Sequence, residues 1–500
     1  MARFLSSLFS RFLPWVVLAH ALAFIIFWLT NNLFYTSTND YLADLLGSRL
    51  DYVSLLLGVS GLIALWSLIR GVLSQLSKPR KPLSVFTWIF AIISLIYIAF
   101  FYGSFWLLFR ESPVQLVRIG QLISYFRMVL DGVLLLALAL AAAFLLRSIF
   151  KKNIQAGVRL NWPALVPVLV VYAILWALPL IIPPGDVLES EVPDKPLIIA
   201  HRGASMLAPE NTDIAAEMAS DIGVYGLETD VQVSLDGGLF LMHDDTLDRT
   251  TNVASIFPGR EEDPAGDFTL EQIGQLNAGT WFVEQDPFHA IRDGLVTPEE
   301  EAEYRQQRVP MLEDWLDIVR TNEGAFIFDL KAPPEGHPYA DAFFELAFEQ
   351  IHNVGIDHQI WFLVDPVQLQ TVRNLAPYMI RAYGADYQSP PTVADLTGQG
   401  YQLVNVEYGI NPQWIAEYQA ANLWVNIYTV DEPWQFSRLW LLNVDSVTTS
   451  NSGVMAKLEK PAFSMPFNQY LLVWGFLGLI GLGLIVILLY TGPKTSSPSS

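Results

Sequence analysis

Not one of the 500 residues is a cysteine, which excludes a disulfide framework and any Cys-ligated zinc or iron–sulfur centre. An exported domain built from such a chain must rest on its own apolar core, and about 275 residues suffice for one. Asn-x-Ser/Thr acceptors are missing too. Together the two absences favour a bacterial envelope over an animal secretory route. Charge is also scarce, with 16% charged residues against 52% hydrophobic, a balance too apolar for one soluble domain. The scarcity is uneven. Residues 1–185 with 466–500 carry 15 Lys/Arg and 5 Asp/Glu, whereas residues 186–465 carry 14 and 45. The middle therefore lacks the clustered cations that a nucleic-acid partner requires, and its acidity reads as solubility.

What is present at the two ends is a series of long apolar runs. They occupy Phe12–Tyr35, Tyr52–Ile69, Pro82–Phe109, Gly132–Leu146, Leu160–Gly185 and Pro461–Tyr490. Each approaches or exceeds the ~18–20 residues that cross a bilayer as a helix. The fourth is the shortest, and Arg127 and Asp131 stand just before it at helical i,i+4 spacing. With the N-terminus inside, the inner segments hold Arg3, Arg11, Arg70, Lys78, Arg80, Lys81, Arg147, Lys151, Lys152, Arg159 and Lys494, while the outer ones hold Arg49, Arg110, Arg118 and Arg127. That asymmetry predicts cytoplasmic termini and five N-terminal spans in residues 1–185. It also predicts an extracytoplasmic domain at 186–462, and a sixth span with a short tail at 463–500.

Between the ends, strand and helix signals alternate. Short apolar runs such as LIIA, AFIF, WFLV and VNIY alternate with amphipathic stretches at 310–320, 340–353, 412–422 and 433–443. About eight alternations predict an α/β protein, a (β/α)8 TIM barrel with its site at the strand ends. His201 follows LIIA, His243 follows LFLM and Lys331 follows FIFDL. Glu228 and Asp230 are two apart in LETDVQV, so a strand points them the same way. The acidic, Gly- and Pro-containing segment 253–308 fits no regular crossover and reads as an insertion over the barrel mouth.

The motifs His201-Arg202-Gly203, Pro209-Glu210-Asn211-Thr212, Glu228-x-Asp230 and His243-Asp244…Arg249-Thr250-Thr251 resemble those of the glycerophosphodiester phosphodiesterase family, across essentially all of residues 195–455. The resemblance extends to the multi-span members of that family. It implies hydrolysis of glycerophosphodiesters or lysophospholipids by an integral membrane protein, with His201 and His243 as general base and acid. It further implies Arg202 and Lys331 on the substrate phosphate. Glu228, Asp230 and Asp329 would then hold a divalent cation, Ca2+ or Mg2+. Hard cations prefer such carboxylates, and histidine titrates near neutral pH. An alternative is a catalytically weak barrel that binds a ligand and signals.

The sequence departs from the family in four places. Asp329 replaces a Glu, Tyr428 a Trp, and Ser446 and Ser450 stand where Gly and Asp are common. Glu210 is left between capping the next helix and approaching the metal. Asn211 is left between structure and substrate contact.

Overall fold

The computed structural model describes residues 13–29, 42, 50–76, 85–111, 114–155, 162–188, 191–321, 324–462 and 464–490. Apolar stretches without internal breaks form helices α1 (Leu13–Leu29), α2 (Tyr52–Leu76), α3 (Val85–Glu111), α4 (Val114–Tyr125), α5 (Arg127–Gln155) and α6 (Trp162–Ile181), and a C-terminal helix covers Phe467–Tyr490. Within these, Tyr52–Gly71 and Phe467–Val486 are long and apolar enough to cross a membrane. The segments Val117–Tyr125 and Arg127–Leu140 would add a third if taken together, but they meet at a 70° bend. The run expected at Gly132–Leu146 belongs to the much longer α5. Of the charges used to orient the chain, Arg3, Arg11, Arg49, Lys78, Arg80, Lys81, Arg159 and Lys494 lie outside the described residues, as do the ends of several expected runs.

Small and aromatic side chains join α5, α6 and the C-terminal helix. Leu135, Ala139, Tyr172, Tyr470 and Trp474 form one buried cluster. The Tyr172 hydroxyl donates to the Gly478 carbonyl at 2.8 Å, satisfying a polar group that neither lipid nor core would hydrate. The outward faces carry Leu62, Ile96, Val133, Ile174, Leu472 and Leu479, all exposed.

The middle of the chain is a closed parallel barrel. Its strands are β1 (Leu197–His201), β2 (Gly226–Val233), β4 (Ala325–Leu330), β5 (Ile360–Leu363), β6 (Ile380–Ala385), β7 (Leu403–Glu407), β8 (Trp424–Tyr428) and β9 (Ser446–Thr449). Each pairs with the next, and β1 closes the ring by pairing with both β2 and β9. Apolar runs of four to six residues suit strands buried on both faces. Ile199, Ile327, Trp361, Ala382 and Leu403 form one cluster among these strands. Polar residues hold the barrel together as well: Asn426 donates to Asn405 at 2.7 Å and to Thr448 at 2.8 Å, and accepts from Ser446 at 2.7 Å. Ser446 is thus an integral member of a satisfied buried network.

One strand differs from its expected place. LFLM yields β3 (Leu239–Leu241), which runs antiparallel to β2 and forms an arm outside the ring. Only a turn separates it from β2, and a parallel crossover needs a dozen residues or more. The arm folds back along β2, so Met242 bonds to the Asp230 carbonyl and His243 returns to the rim. The insertion also differs from expectation. Short helices at Thr280–Gln285 and Pro298–Tyr304 pack beside helix α7 (Asp213–Ile222), with Phe282 and Tyr304 buried against Ile214 and Ala215. No residue of 253–308 lines the main cavity.

Helix α7 begins directly after the Pro-Glu-Asn-Thr segment, and its first residue is a misfit. One oxygen of Asp213 is buried without a hydrogen-bond partner. Burial, then Asp314 and Glu217, raise its carboxyl to about 6. A raised acid contributes its full stability only below the ordinary carboxylate range and loses it as pH rises through about 6. Asp213→Asn should therefore stabilise the domain near pH 7.5 by about 1 kcal/mol, after allowing for solvent screening. That corresponds to roughly 2–4 °C in Tm. At pH 4 the two proteins should melt together in a thermal unfolding scan.

Candidate active site

The turn after β1 sets the site. Arg202 and Gly203 both take left-handed backbone, at φ 56° and 77°. A side chain at Gly203 would lie 2.5 Å from the Ala215 backbone, so only glycine fits there. The turn brings the Arg202 amide to Glu228 Oε2 at 3.0 Å and its guanidinium to Asp230 at 3.1 Å and Glu210 at 2.9 Å. His201, at the end of β1, lies with Nδ1 3.0 Å from Ser450 Oγ and Nε2 3.9 Å from Glu228. Burial, then Arg202, press its imidazole well below the usual histidine value. Ser450 supplies no countercharge.

Alternation along β2 gives Glu228 and Asp230 a common direction, and the β2–β4 register sets Asp329 directly beside Asp230. One oxygen from each of the three carboxylates lies within 4.8 Å of the others. Lys331 stands among them, its ammonium 2.7 Å from Asp329 and 3.0 Å from Asp230. Burial and the Asp230 charge push Glu228 well above the ordinary carboxylate range. Burial acts the same way on Asp230, but Arg202 and Lys331 outweigh it and leave that carboxyl low. The two acids are thus driven apart by which cations each one meets.

The rim beside β1 and β2 is held by a chain of charges. His243 Nδ1 lies 2.7 Å from Asp244. Arg249 pairs with Asp244 and reaches both oxygens of Glu210, at 3.0 and 2.6 Å. Glu210 therefore turns toward two arginines. It neither caps α7 nor joins the three clustered carboxylates. Burial opposes the Glu210 charge, yet Arg249 and Arg202 keep its carboxyl below the usual range. Trp281 lies 5.8 Å from the Arg249 guanidinium, a placement that suits cation–π contact.

All seven residues singled out from sequence, His201, Arg202, Glu228, Asp230, His243, Asp329 and Lys331, line one cavity of about 590 Å³. Its side wall is apolar, with Phe343, Phe344, Leu363 and Val364, and Tyr428 lies across it. His289, His337, His352 and His358 do not line it. Three clustered carboxylates, two of them buried, form the donor set of a hard divalent cation, so the residues fit a metal of that class.

Two motif residues take supporting roles, and for Asn211 the structural alternative holds. Arg249 lay inside a motif without an assigned partner. Asn211, in left-handed backbone at φ 55°, donates to Asp230 Oδ2 at 2.9 Å and accepts from Thr229 Oγ1 at 2.8 Å. It fixes the Asp230 carboxylate from behind. Asn211→Ala should cost about 2–4 kcal/mol, from a hydrogen bond to a charged group plus the backbone penalty. Asn211→Gly relieves the backbone penalty alone, so it should recover only part of the loss in chemical denaturation.

The profile of the glycerophosphoryl diester phosphodiesterase family matches residues 201–454. The chain is 36% identical over 314 residues to glycerophosphodiester phosphodiesterase domain-containing protein 5 of Mus musculus, covering 62% of this chain and 50% of that one. It is 32% identical over 483 residues to domain-containing protein 4 of Macaca fascicularis, covering 92% and 74%. A phosphodiesterase structure from Oleispira antarctica, solved with sn-glycerol-3-phosphate, is 23% identical at a TM-score of 0.43, covering 52% and 95%. The chain spans about half the length of the curated relatives named domain-containing protein 5. With half of its residues under the family profile and the family's motifs on one barrel rim, the chain belongs to the glycerophosphoryl diester phosphodiesterase family.

Proposed function

We propose that this protein is a membrane-anchored, metal-dependent phosphodiesterase. It hydrolyses glycerophosphodiesters or lysophospholipids to an alcohol and glycerol phosphate or a lysophosphatidate. The observation that carries the reading is the convergence of two histidines, two cations and three carboxylates on one cavity. The long apolar helices with exposed aliphatic faces support the anchorage. The positive-inside bias supports an extracytoplasmic barrel with cytoplasmic termini.

The chemistry divides among the residues as follows. Glu228, Asp230 and Asp329 would hold a divalent cation, Ca2+ or Mg2+, which when bound neutralises charge on the non-bridging oxygens. Arg202 and Lys331 bind the same phosphate as fixed cations. His201, kept neutral by its surroundings, accepts the proton of the attacking group, either water, which gives the phosphomonoester directly, or the neighbouring glycerol hydroxyl, which gives a cyclic phosphate that water then opens. The bond from phosphorus to the leaving oxygen then breaks, and His243 delivers a proton to the alkoxide. Asp244, 2.7 Å from Nδ1, orients that imidazole so that Nε2 faces the substrate.

The test is choline release from glycerophosphocholine and from lysophosphatidylcholine by the full chain in detergent, with Ca2+, Mg2+ or EDTA. Activity with neither substrate would sink the reading. His201→Ala and His243→Ala should each lower turnover by about 10²–10⁴-fold with folding intact. Near-normal turnover in either variant would mean that another group moves the proton.

Asp329 sharpens the metal assignment. Its carboxylate reaches one methylene less far than Glu, and Ca2+ tolerates oxygen distances of roughly 2.3–2.6 Å where Mg2+ demands about 2.0–2.1 Å. Asp329→Asn should strongly weaken metal affinity in a calorimetric titration. Asp329→Glu should keep activity and improve the use of Mg2+. Unchanged affinity in Asp329→Asn would remove this residue from the ligand set.

A further inference from the structure

Helix α4 packs on the barrel at the face where the strands end. Arg118, Gln121 and Tyr125 share one side of that helix and are buried, while Gly120, Ile123 and Ser124 on the other side are exposed. Arg118 pairs with Glu432 at 3.1 Å, both side chains being about nine-tenths buried. Gln121 donates to the Tyr408 carbonyl at 2.7 Å. The Tyr125 hydroxyl donates to the Ala462 carbonyl, and its ring packs near Trp434. Tyr408 follows β7 and Glu432 closes the loop after β8, so α4 touches the same rim that carries the cavity.

The chain leading into and out of the barrel meets this rim too. Val187 pairs with Met465, and the Ala462 amide donates to Ser437 at 3.0 Å, midway along the helix that follows β8. Helix α4 turns by 70° into α5. With α5 along the bilayer normal, α4 lies close to the membrane plane, and its exposed Ile123 side faces away from the barrel.

We infer that α4 is an in-plane clamp that holds the catalytic rim toward the bilayer, so that the site takes its phosphodiester from a lipid head group at the membrane surface. The inference rests on the phosphodiesterase reading of the cavity and deepens it to a substrate class. The cavity suits an amphiphile: the cations Arg202 and Lys331 share its lining with the apolar side chains of Phe343, Phe344 and Leu363. Arg118 is a positioning residue in this scheme. It touches no substrate and acts only on where the rim sits relative to the helices, through its pairing with Glu432 in the loop after β8.

The test uses the full chain in phosphatidylcholine nanodiscs containing lysophosphatidylcholine, with soluble glycerophosphocholine as the second substrate. Arg118→Ala should lower nanodisc lysolipid turnover by about tenfold or more and leave kcat/KM for the soluble diester within about threefold. Because that variant strands a buried carboxylate, the exchanged pair Arg118→Glu with Glu432→Arg is measured beside it, and should recover lysolipid turnover. Equal losses on both substrates, or no loss on either, would overturn the clamp.

The absence of cysteine permits a second readout. A fluorophore on Ser389→Cys, in the loop after β6, should be quenched by spin-labelled lipids more than one on Asn353→Cys, before β5 at the opposite end of the strands. The reverse order would overturn the orientation. Wild-type activity on the soluble diester but not on the lysolipid would sink the inference while leaving the phosphodiesterase reading intact. Activity on neither would sink the latter.

Discussion

Everything in the site depends on how one buried carboxylate is neutralised. Asp230 is 1% exposed, a burial that would be prohibitive for a lone charge. Arg202, Lys331 and Asn211 compensate it from three directions. Each of these partners is then fixed by something else. Arg202 needs the left-handed turn that only Gly203 allows, Lys331 is shared with Asp329, and Asn211 is itself in left-handed backbone. The cluster nevertheless holds three acids against two cations. The excess falls on Glu228, which burial and Asp230 drive toward its neutral form. A site with one acid too many is where an added cation gains most.

The sequence made the barrel and the rim residues legible because both are local patterns. Apolar runs of strand length, separated by amphipathic helices, specify a parallel ring almost by themselves. A polar residue at the end of such a run must point from the rim. LFLM has the composition of a barrel strand yet forms the antiparallel arm β3. The decisive signal was the connection, Ser234 to Gly238, which is too short for a crossover and carries the Asp-Gly pair of a hairpin. The irregular composition of 253–308 says that the segment is a loop without saying which way it folds. Its apolar residues Phe282 and Tyr304 decide that by packing on α7.

Partner choice was the illegible part. Glu210 has carboxylates, arginines and a helix terminus all within reach of its motif, and no spacing rule separates them. The structure resolves it toward Arg202 and Arg249. That choice links the His201 side of the rim to the His243 side through a single run of alternating charges. Ser450 illustrates the same limit. As a departure from the family pattern it says only that an acid is missing; its contact with His201 Nδ1 shows what the change does. A neutral partner adds nothing to Asp230 and Glu210 in opposing burial and Arg202, so the imidazole is held well below the usual histidine value.

The pairing of Arg118 with Glu432 joins residues more than three hundred positions apart, and nothing in either neighbourhood announces it. A buried ion pair adds little net stability, because desolvation offsets most of the attraction, but breaking it from one side is costly. Such a pair is therefore better at enforcing one arrangement than at strengthening it. Here the arrangement it enforces is the approach of α4 to the loops after β7 and β8. An apolar contact of equal area would tolerate sliding around the rim, whereas a guanidinium seated on one carboxylate, beside Gln121 on one carbonyl, fixes the rotational setting of the barrel on its helices. That setting decides which part of the rim lies nearest the long apolar helices, and the cavity opens on the same rim.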